Sequence, residues 1–388
     1  MSHRRSDSKD LSQIRRLDGR ARLRASPAWQ LVLLDRLAAA DRTALSTDLP
    51  AETYGLLRPR DPSLLPKAVG PDTALLFLTL QEPARLPEYV RGSFGTEADD
   101  AVAELVADGI LEAEVEGSWV SGSAAFRPQA LHQNFVRATL PIVSVGARSR
   151  QALRAAAGMG AESPDLVASF LYRYGTTPIL PSRARLWADS DAIRANFRLD
   201  DAGFTPKLSD DSAWWVFSGE TSNGQGRPPK LYVGVAVTAL PEAIRRVLTL
   251  ASQQGPTMPA FKVGASVHGL HRPDRLVFYP GGAEEAATCG ARLVETLADL
   301  PPDPVPFTAA LNPAGQVSWG ADPAPRAGRA WWKDGVSWRS MLTKLLGVAL
   351  VEACRAGETE PWTYATERAR LAGVDPETWA PLDAGWTL

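Results

Sequence analysis

The chain predicts an α+β fold, a largely antiparallel sheet with helices packed on it, preceded by a helical, winged-helix-like domain. Three observations carry this expectation. Ala98, Ala101, Val102, Leu105 and Val106 recur at helical spacing up to Asp108-Gly109, and an alternating stretch from Leu111 to Val120 follows, with Gly117 at its turn. Residues 230–237, 260–264 and 276–279 read as strands, the first two separated by a helix that Pro241 opens. With 388 residues, 45% of them hydrophobic and 22% charged, the chain is long enough for at least two units with sizeable cores, and its composition excludes a disordered chain.

Charge and cysteine content narrow the setting. The 42 basic and 44 acidic residues give a formal charge of −2, which argues against a broad nucleic-acid-binding surface. Cys289 and Cys354 are too few for a disulfide framework or a four-cysteine zinc site and suit a reducing compartment. No apolar run approaches the roughly 20 residues that a spanning helix needs, and the first residues, MSHRRSDSKDLSQIRR, lack the apolar core of a signal peptide. The expectation is a soluble, cytoplasmic protein with neither a membrane nor a nucleic acid as partner.

In chain order, residues 1–26 read as a basic flexible tail, either solvated or a docking arm for an acidic partner. Residues 27–150 read as the helical, winged-helix-like domain. Thr96 can cap the helix that Gly109 ends, and Glu112, Glu114 and Glu116 alternate with apolar residues in the hairpin. Those glutamates would repel phosphates, so a peptide added as an extra strand fits the wing better than DNA does. Residues 151–388 read as the catalytic α+β domain. Pro164 starts a helix through Leu171-Tyr172, and 222–229 is a loop by composition and a candidate lid.

The chemistry-bearing residues lie beyond that loop. In KLYVGVAV, Leu231, Val233, Val235 and Val237 take one strand face and Lys230, Tyr232, Gly234 and Ala236 the other. The small residues imply a close approach to the sheet backbone. Lys262 is flanked by Ala260 and Gly264, and it joins Lys230 and Tyr232 if the two strands share a sheet. A crowded lysine beside other cations gives up its proton more readily and becomes a general base. His268, His271, Arg272 and Arg275 form a donor-rich turn, either a solvated basic turn or an anion site; an HxxH pair without a third ligand is weak evidence for zinc. Ser337 can cap the next helix with Arg339 in its first turn, where a cation is favourable only beside an anion; Arg339 is thus an anion-site candidate or a surface ion pair.

The order KLYVGV, FKVG, HRPDRLVFY, PFT and GVSWR resembles the HopA-like effector family, whose members serve as lyases in class V lanthipeptide and related peptide maturation and are similar to the phosphothreonine lyases. The resemblance covers roughly residues 165–355. It implies a lyase that eliminates phosphate from phosphoserine or phosphothreonine of a ribosomally made precursor peptide, leaving dehydroalanine or dehydrobutyrine. It implies that Lys262 removes the α-proton and that Lys230 and Arg272 hold the phosphate; Arg339, the anion-site candidate above, is expected to line the same site. Tyr232 stands where the phosphothreonine lyases carry their acid histidine, so Tyr232, His268 and His271 are the acid candidates. No cofactor or metal is implied. The chain shows no nucleotide-binding motif, so a separate Ser/Thr kinase must supply the phosphate, with a leader-bearing precursor and a possible cyclase as further partners. The rival reading is a non-catalytic, lyase-like scaffold that presents precursor peptide to a kinase or cyclase.

Overall fold

The computed structural model describes residues 21–38, 52–61, 64, 66–95, 98–115, 117–122, 125, 144–160, 162–202, 205–217, 229–255, 258–322, 331–332 and 337–381. The Thr96 cap, Glu116, the tail up to residue 20 and nearly all of the candidate lid lie outside these residues. Two compact units result: 1–136 with 325–335 and 349–372, and 137–324 with 336–348 and 373–388.

The first unit begins inside the stretch expected to be a tail. Strand β1 (Arg22–Ala25) buries Leu23 and Ala25 while Arg22 and Arg24 face outward, and it pairs with the hairpin. Strands β2 (Trp29–Leu33), β3 (Gly55–Pro59) and β4 (Lys67–Val69) follow, then α1 (Pro71–Thr79), β5 (Ala84–Arg85), α2 (Tyr89–Phe94) and α3 (Ala98–Ala107). The hairpin is β6 (Leu111–Val115) and β7 (Ser118–Val120), giving one sheet of order β5-β1-β6-β7. A second small sheet, absent from the sequence reading, runs β15-β4-β3-β2, with β15 at Trp331–Trp332.

Helix α3 buries all five of its periodic apolar residues. It ends because Gly109 takes φ +72°, and the Ile110 N–H then bonds back to the Leu105 carbonyl at 2.9 Å. The hairpin carboxylates are neutralised by β1: Arg24 donates to Glu112 at 2.6 Å and Arg22 to Glu114 at 3.2 Å. For these two of the three glutamates, the repulsion of phosphate assumed from the sequence is offset by a paired arginine.

The second unit holds helices α4 (Val145–Ala157), α5 (Pro164–Arg173), α6 (Pro181–Leu186) and α7 (Ser190–Asn196), then strands β8 (Lys207–Leu208), β9 (Trp214–Phe217) and β10 (Pro229–Val233). Helix α8 (Leu240–Gln254), β11 (Ala260–Gly264), α9 (Val267–His271), β12 (Leu276–Tyr279), α10 (Ala283–Leu297), β13 (Ala309–Ala310), β14 (Val317–Ala321) and α11 (Trp338–Arg355) complete it; residues of α11 from Ala349 onward belong to the first unit, as does α12 (Pro361–Leu371). The seven strands are all antiparallel in the order β13-β14-β10-β12-β11-β9-β8.

One face of this sheet is the core. Leu231, Val233, Phe261, Val263 and Phe278 meet Ile244, Val247 and Leu248 of α8 and Leu293 and Leu297 of α10. Phe217, Phe261 and Phe278 stack across three strands at 4.3 and 5.1 Å, each burial contributing about 1.5–3 kcal/mol. The first strand stops short of the expected 237, because the Gly234 N–H and C=O bond to Gln316 and Asp303. A Cβ on Gly234 would sit 2.6 Å from the Asp303 carbonyl oxygen. The small residues thus admit the chain's own backbone rather than a ligand. Among the described residues, no helix is long and apolar enough to cross a membrane.

Candidate active site

The opposite face of the second unit's sheet carries the chemistry. Register places Lys262 of β11, Val277 of β12, Tyr232 of β10 and Ser318 of β14 in one row across four strands. Lys230 and Tyr279 lie one step along, on the same face, with the Lys230 ammonium 5.7 Å from the Tyr279 ring centre. Sequence alternation alone puts these side chains on the side away from Leu231 and Phe278.

Cations and rings alternate here. Lys262 Nζ sits 4.0 Å from the centre of the Trp214 ring and 5.5 Å from that of Tyr279. The Arg272 guanidinium lies 5.6 Å from Trp214 and 5.7 Å from Tyr172, and Arg339 lies 4.5 Å from Tyr172. Such contacts hold cations without cancelling their charge. Lys230, Lys262, Arg272 and Arg339 therefore converge, although they arrive from four separate elements.

Two carboxylates arrange them. Asp274, buried, accepts from Arg272 Nε and Nη2, both at 2.9 Å, and from the Tyr172 hydroxyl at 3.1 Å, while Arg339 Nη1 lies 3.2 Å from its Oδ2. Asp322 accepts from Lys230 Nζ at 2.7 Å and from the backbone N–H of Trp338 at 2.9 Å. Lys230, Lys262, Arg272 and Arg339 face Asp274 and Asp322, and Asp211 also acts on Lys262, so the cluster is net positive while Lys262 is protonated. Burial lowers the Lys262 pKa, and Lys230 and Arg272 lower it further, against the opposing pull of Asp274 and Asp211.

Arg339 reaches the cluster but faces inward. It is 1% exposed, donating to the carbonyls of Pro306 at 3.1 Å and Tyr172 at 2.7 Å. The anion that a first-turn arginine requires is the protein's own Asp274. The PFT and GVSWR segments thus interlock. Trp338 Nε1 donates to the Phe307 carbonyl at 3.0 Å, Ser337 caps α11 through the Ser340 N–H at 3.2 Å, and Thr308 bonds Ser318 at 2.8 Å. Phe307 adopts φ +63°, a strained conformation for a bulky residue, and its N–H is held by Ser149 at 2.8 Å.

The histidines do not join the row. His271 is fully buried, its Nδ1 lies 3.1 Å from the Thr177 carbonyl and 2.9 Å from the Thr177 hydroxyl, and its ring meets Trp187 in the core. Burial lowers its pKa, so it rests neutral. His268, three residues earlier on the five-residue α9, is exposed. Arg275 is likewise structural: it donates to the Arg272 carbonyl at 2.7 Å and to Asp303 at 2.6 Å, fixing the turn that presents Arg272. Tyr232 stays on the lysine face, 4% exposed among Val277, Val305 and Tyr279. Burial pushes its pKa up, so the neighbouring cations do not acidify it. Among the described residues, no group of three or more His, Cys, Asp or Glu could hold a metal ion.

No protein-family model and no curated protein matches the chain. Among solved structures it is similar to an effector protein from Pseudomonas syringae pv. syringae strain 61, at 13% identity over 62% of this chain and 98% of that one, with a TM-score of 0.40. It is also similar to the phosphothreonine lyase SpvC, an effector from Salmonella, at 12% identity, 57% and 98% coverage and a TM-score of 0.29. The type III effector and phosphothreonine lyase OspF from Shigella flexneri follows at 11%, 43%, 90% and 0.26. These likenesses are distant, and the chemistry of the site rests on its own side chains.

Proposed function

We propose that the second unit is a phosphoserine/phosphothreonine lyase acting on a precursor peptide. The observation that carries this reading is a lysine of lowered pKa, Lys262, set among cations and aromatic rings. A doubly ionised phosphoryl group is drawn to those cations. The motif order noted above supports the same reading.

In the reaction, Lys262 Nζ takes the α-proton of the phosphorylated residue. The released electron pair forms the Cα=Cβ bond, the Cβ–O bond breaks, and its electrons leave with the phosphate oxygen. Tyr232 gives that oxygen a proton, so hydrogen phosphate departs and a dehydroamino acid remains. Lys230 and Arg272 hold the phosphoryl oxygens throughout, an arrangement of fixed charges that needs no reorganisation at the moment of reaction. A separate kinase supplies the phosphate, and the leader of the precursor adds as a strand to β7, the edge of the first unit's hairpin sheet.

The test is incubation of the full chain with a synthetic phosphothreonine peptide, followed by mass spectrometry and phosphate release. Loss of phosphoric acid from the peptide supports the lyase. Binding without elimination, even with a kinase and precursor present, leaves the scaffold reading in its place.

A further inference from the structure

Asp274 makes more interactions with the site than any role in binding substrate would ask of it. A carboxylate repels phosphate, yet this one is buried at the centre of the cation cluster and its two oxygens meet Arg272, Arg339 and Tyr172 together. The geometry with Arg272 is specific. Nε and Nη2, the edge of the guanidinium best suited to gripping a phosphate, are both committed to Asp274. What faces a ligand is the Nη1–Nη2 end, on a side chain that is 35% exposed, flanked by Trp214 and Tyr172 and also bonded to Tyr172. Because Arg275 also anchors the Arg272 carbonyl, both the backbone and the head group of this arginine are fixed before any substrate arrives.

We infer that Asp274 is a positioning residue, which holds Arg272 so that it meets the phosphoryl group end-on and which ties the Tyr172 and Arg339 supports to the same point. This rests on the lyase reading. A second consequence follows from charge. Lys262 is faced by Lys230, Arg272, Asp274 and Asp211 and by the rings of Trp214 and Tyr279, and Asp274 is the carboxylate that most strongly favours its protonated form. Asp274 therefore sets two properties at once: where the phosphate is gripped and at what pH the base is free. A residue that only stabilised the fold would alter neither.

The experiment compares the full chain with Asp274→Asn and with Tyr172→Phe, which removes one bond to Asp274 but keeps the ring beside Arg272. Elimination from a phosphothreonine peptide is measured across pH, with peptide binding by calorimetry and thermal melting alongside. Asp274→Asn should weaken peptide binding by roughly ten-fold or more, the loss expected when a charged hydrogen-bond partner goes. It should also move the acid limb of the kcat/KM profile to lower pH, because a negative charge beside Lys262 has gone. Tyr172→Phe should shift binding in the same direction by less, and it carries the test if Asp274→Asn does not fold. Unchanged binding and an unmoved pH profile in folded variants overturn the inference while the lyase stands. Should the wild type bind the peptide without eliminating phosphate, the lyase reading falls, and the binding comparison alone decides whether Asp274 positions Arg272.

Discussion

Gly320→Ala tests how the site is braced. Gly320 pairs with Lys230 across β14 and β10, two residues before Asp322. A Cβ there would lie 2.7 Å from Cγ and 3.0 Å from Nε1 of the Trp338 ring, and closer still to Cδ1. Comfortable contact needs roughly 3.5 Å or more, so the ring must retreat by about 1 Å. It has little room, being 4% exposed with its Nε1 bonded to the Phe307 carbonyl. Overpacking of this kind costs about 1–3 kcal/mol, and losing the indole bond adds about 1–3 more. Trp338 also donates its backbone N–H to Asp322, the carboxylate that holds Lys230, so its displacement loosens one of the two proposed phosphate ligands. Thermal melting and phosphopeptide kinetics on the purified variant read both effects. The expected result is a lower Tm together with a raised KM; a variant that melts and turns over like the wild type would refute the bracing argument.

Other perturbations separate chemistry from support. Lys262→Met should cut elimination by roughly 10²–10⁴-fold while phosphopeptide binding stays measurable, since only the base is removed; substantial dehydration by this variant in mass spectrometry contradicts the assignment. In the wild type, kcat/KM should rise with pH and level off below the range of an ordinary lysine, because burial, Lys230 and Arg272 favour the neutral amine. In the first unit, burial raises Glu352 from 4.5 to about 7 beside Arg368, Asp108 and Lys67. The folded state then binds a proton that the unfolded state has released, so Glu352 costs stability as pH climbs from 4.5 to about 7. Glu352→Gln should flatten that decline in melting scans at pH 5 and pH 8, and an unchanged slope would discount it.

The parts of the fold legible in the sequence are those where one burial period decides the structure. Helix α3, helix α8 and strands β11 and β12 were readable because each sets one apolar face against one core. Strand β1 was not, since four residues, RLRA, carry too little alternation to stand out from a basic tail, and their partners lie far along the chain. The site divided the same way. Strand alternation put Lys230, Tyr232 and Lys262 on one face, but Asp274 stood out only as part of the HRPDRLVFY motif, and nothing in a single sequence separates Asp322 from a surface acid. Their roles come from which cations the fold brings to them. The two histidines differ in burial: His268 is exposed, and His271, at the end of α9, is buried against Trp187.

The proposed reaction asks for a base that sheds its proton readily and an acid that keeps one, and the sheet supplies both from a single row. Burial lowers Lys262 because its charged form is the protonated one, and burial raises Tyr232 because its charged form is the deprotonated one. A tyrosine that does not ionise at any working pH always carries a proton, and the leaving phosphate oxygen becomes basic enough to take it only as the Cβ–O bond breaks. Their strands are separated by β12, which puts the two backbones roughly 10 Å apart, with Val277 between them in register. Val277, 3% exposed, packs with Tyr232, Val305 and Tyr279, so its bulk sets how Tyr232 stands relative to Lys262. Val277→Phe overfills that cluster and displaces Tyr232 while keeping a strand-forming residue in the centre of the sheet. Elimination should then fall together with a lower melting temperature from the overpacking, and Val277→Ala should retain most of the activity. A Val277→Phe protein that releases phosphate at the wild-type rate would show that Lys262 and Tyr232 do not act on one substrate across this residue.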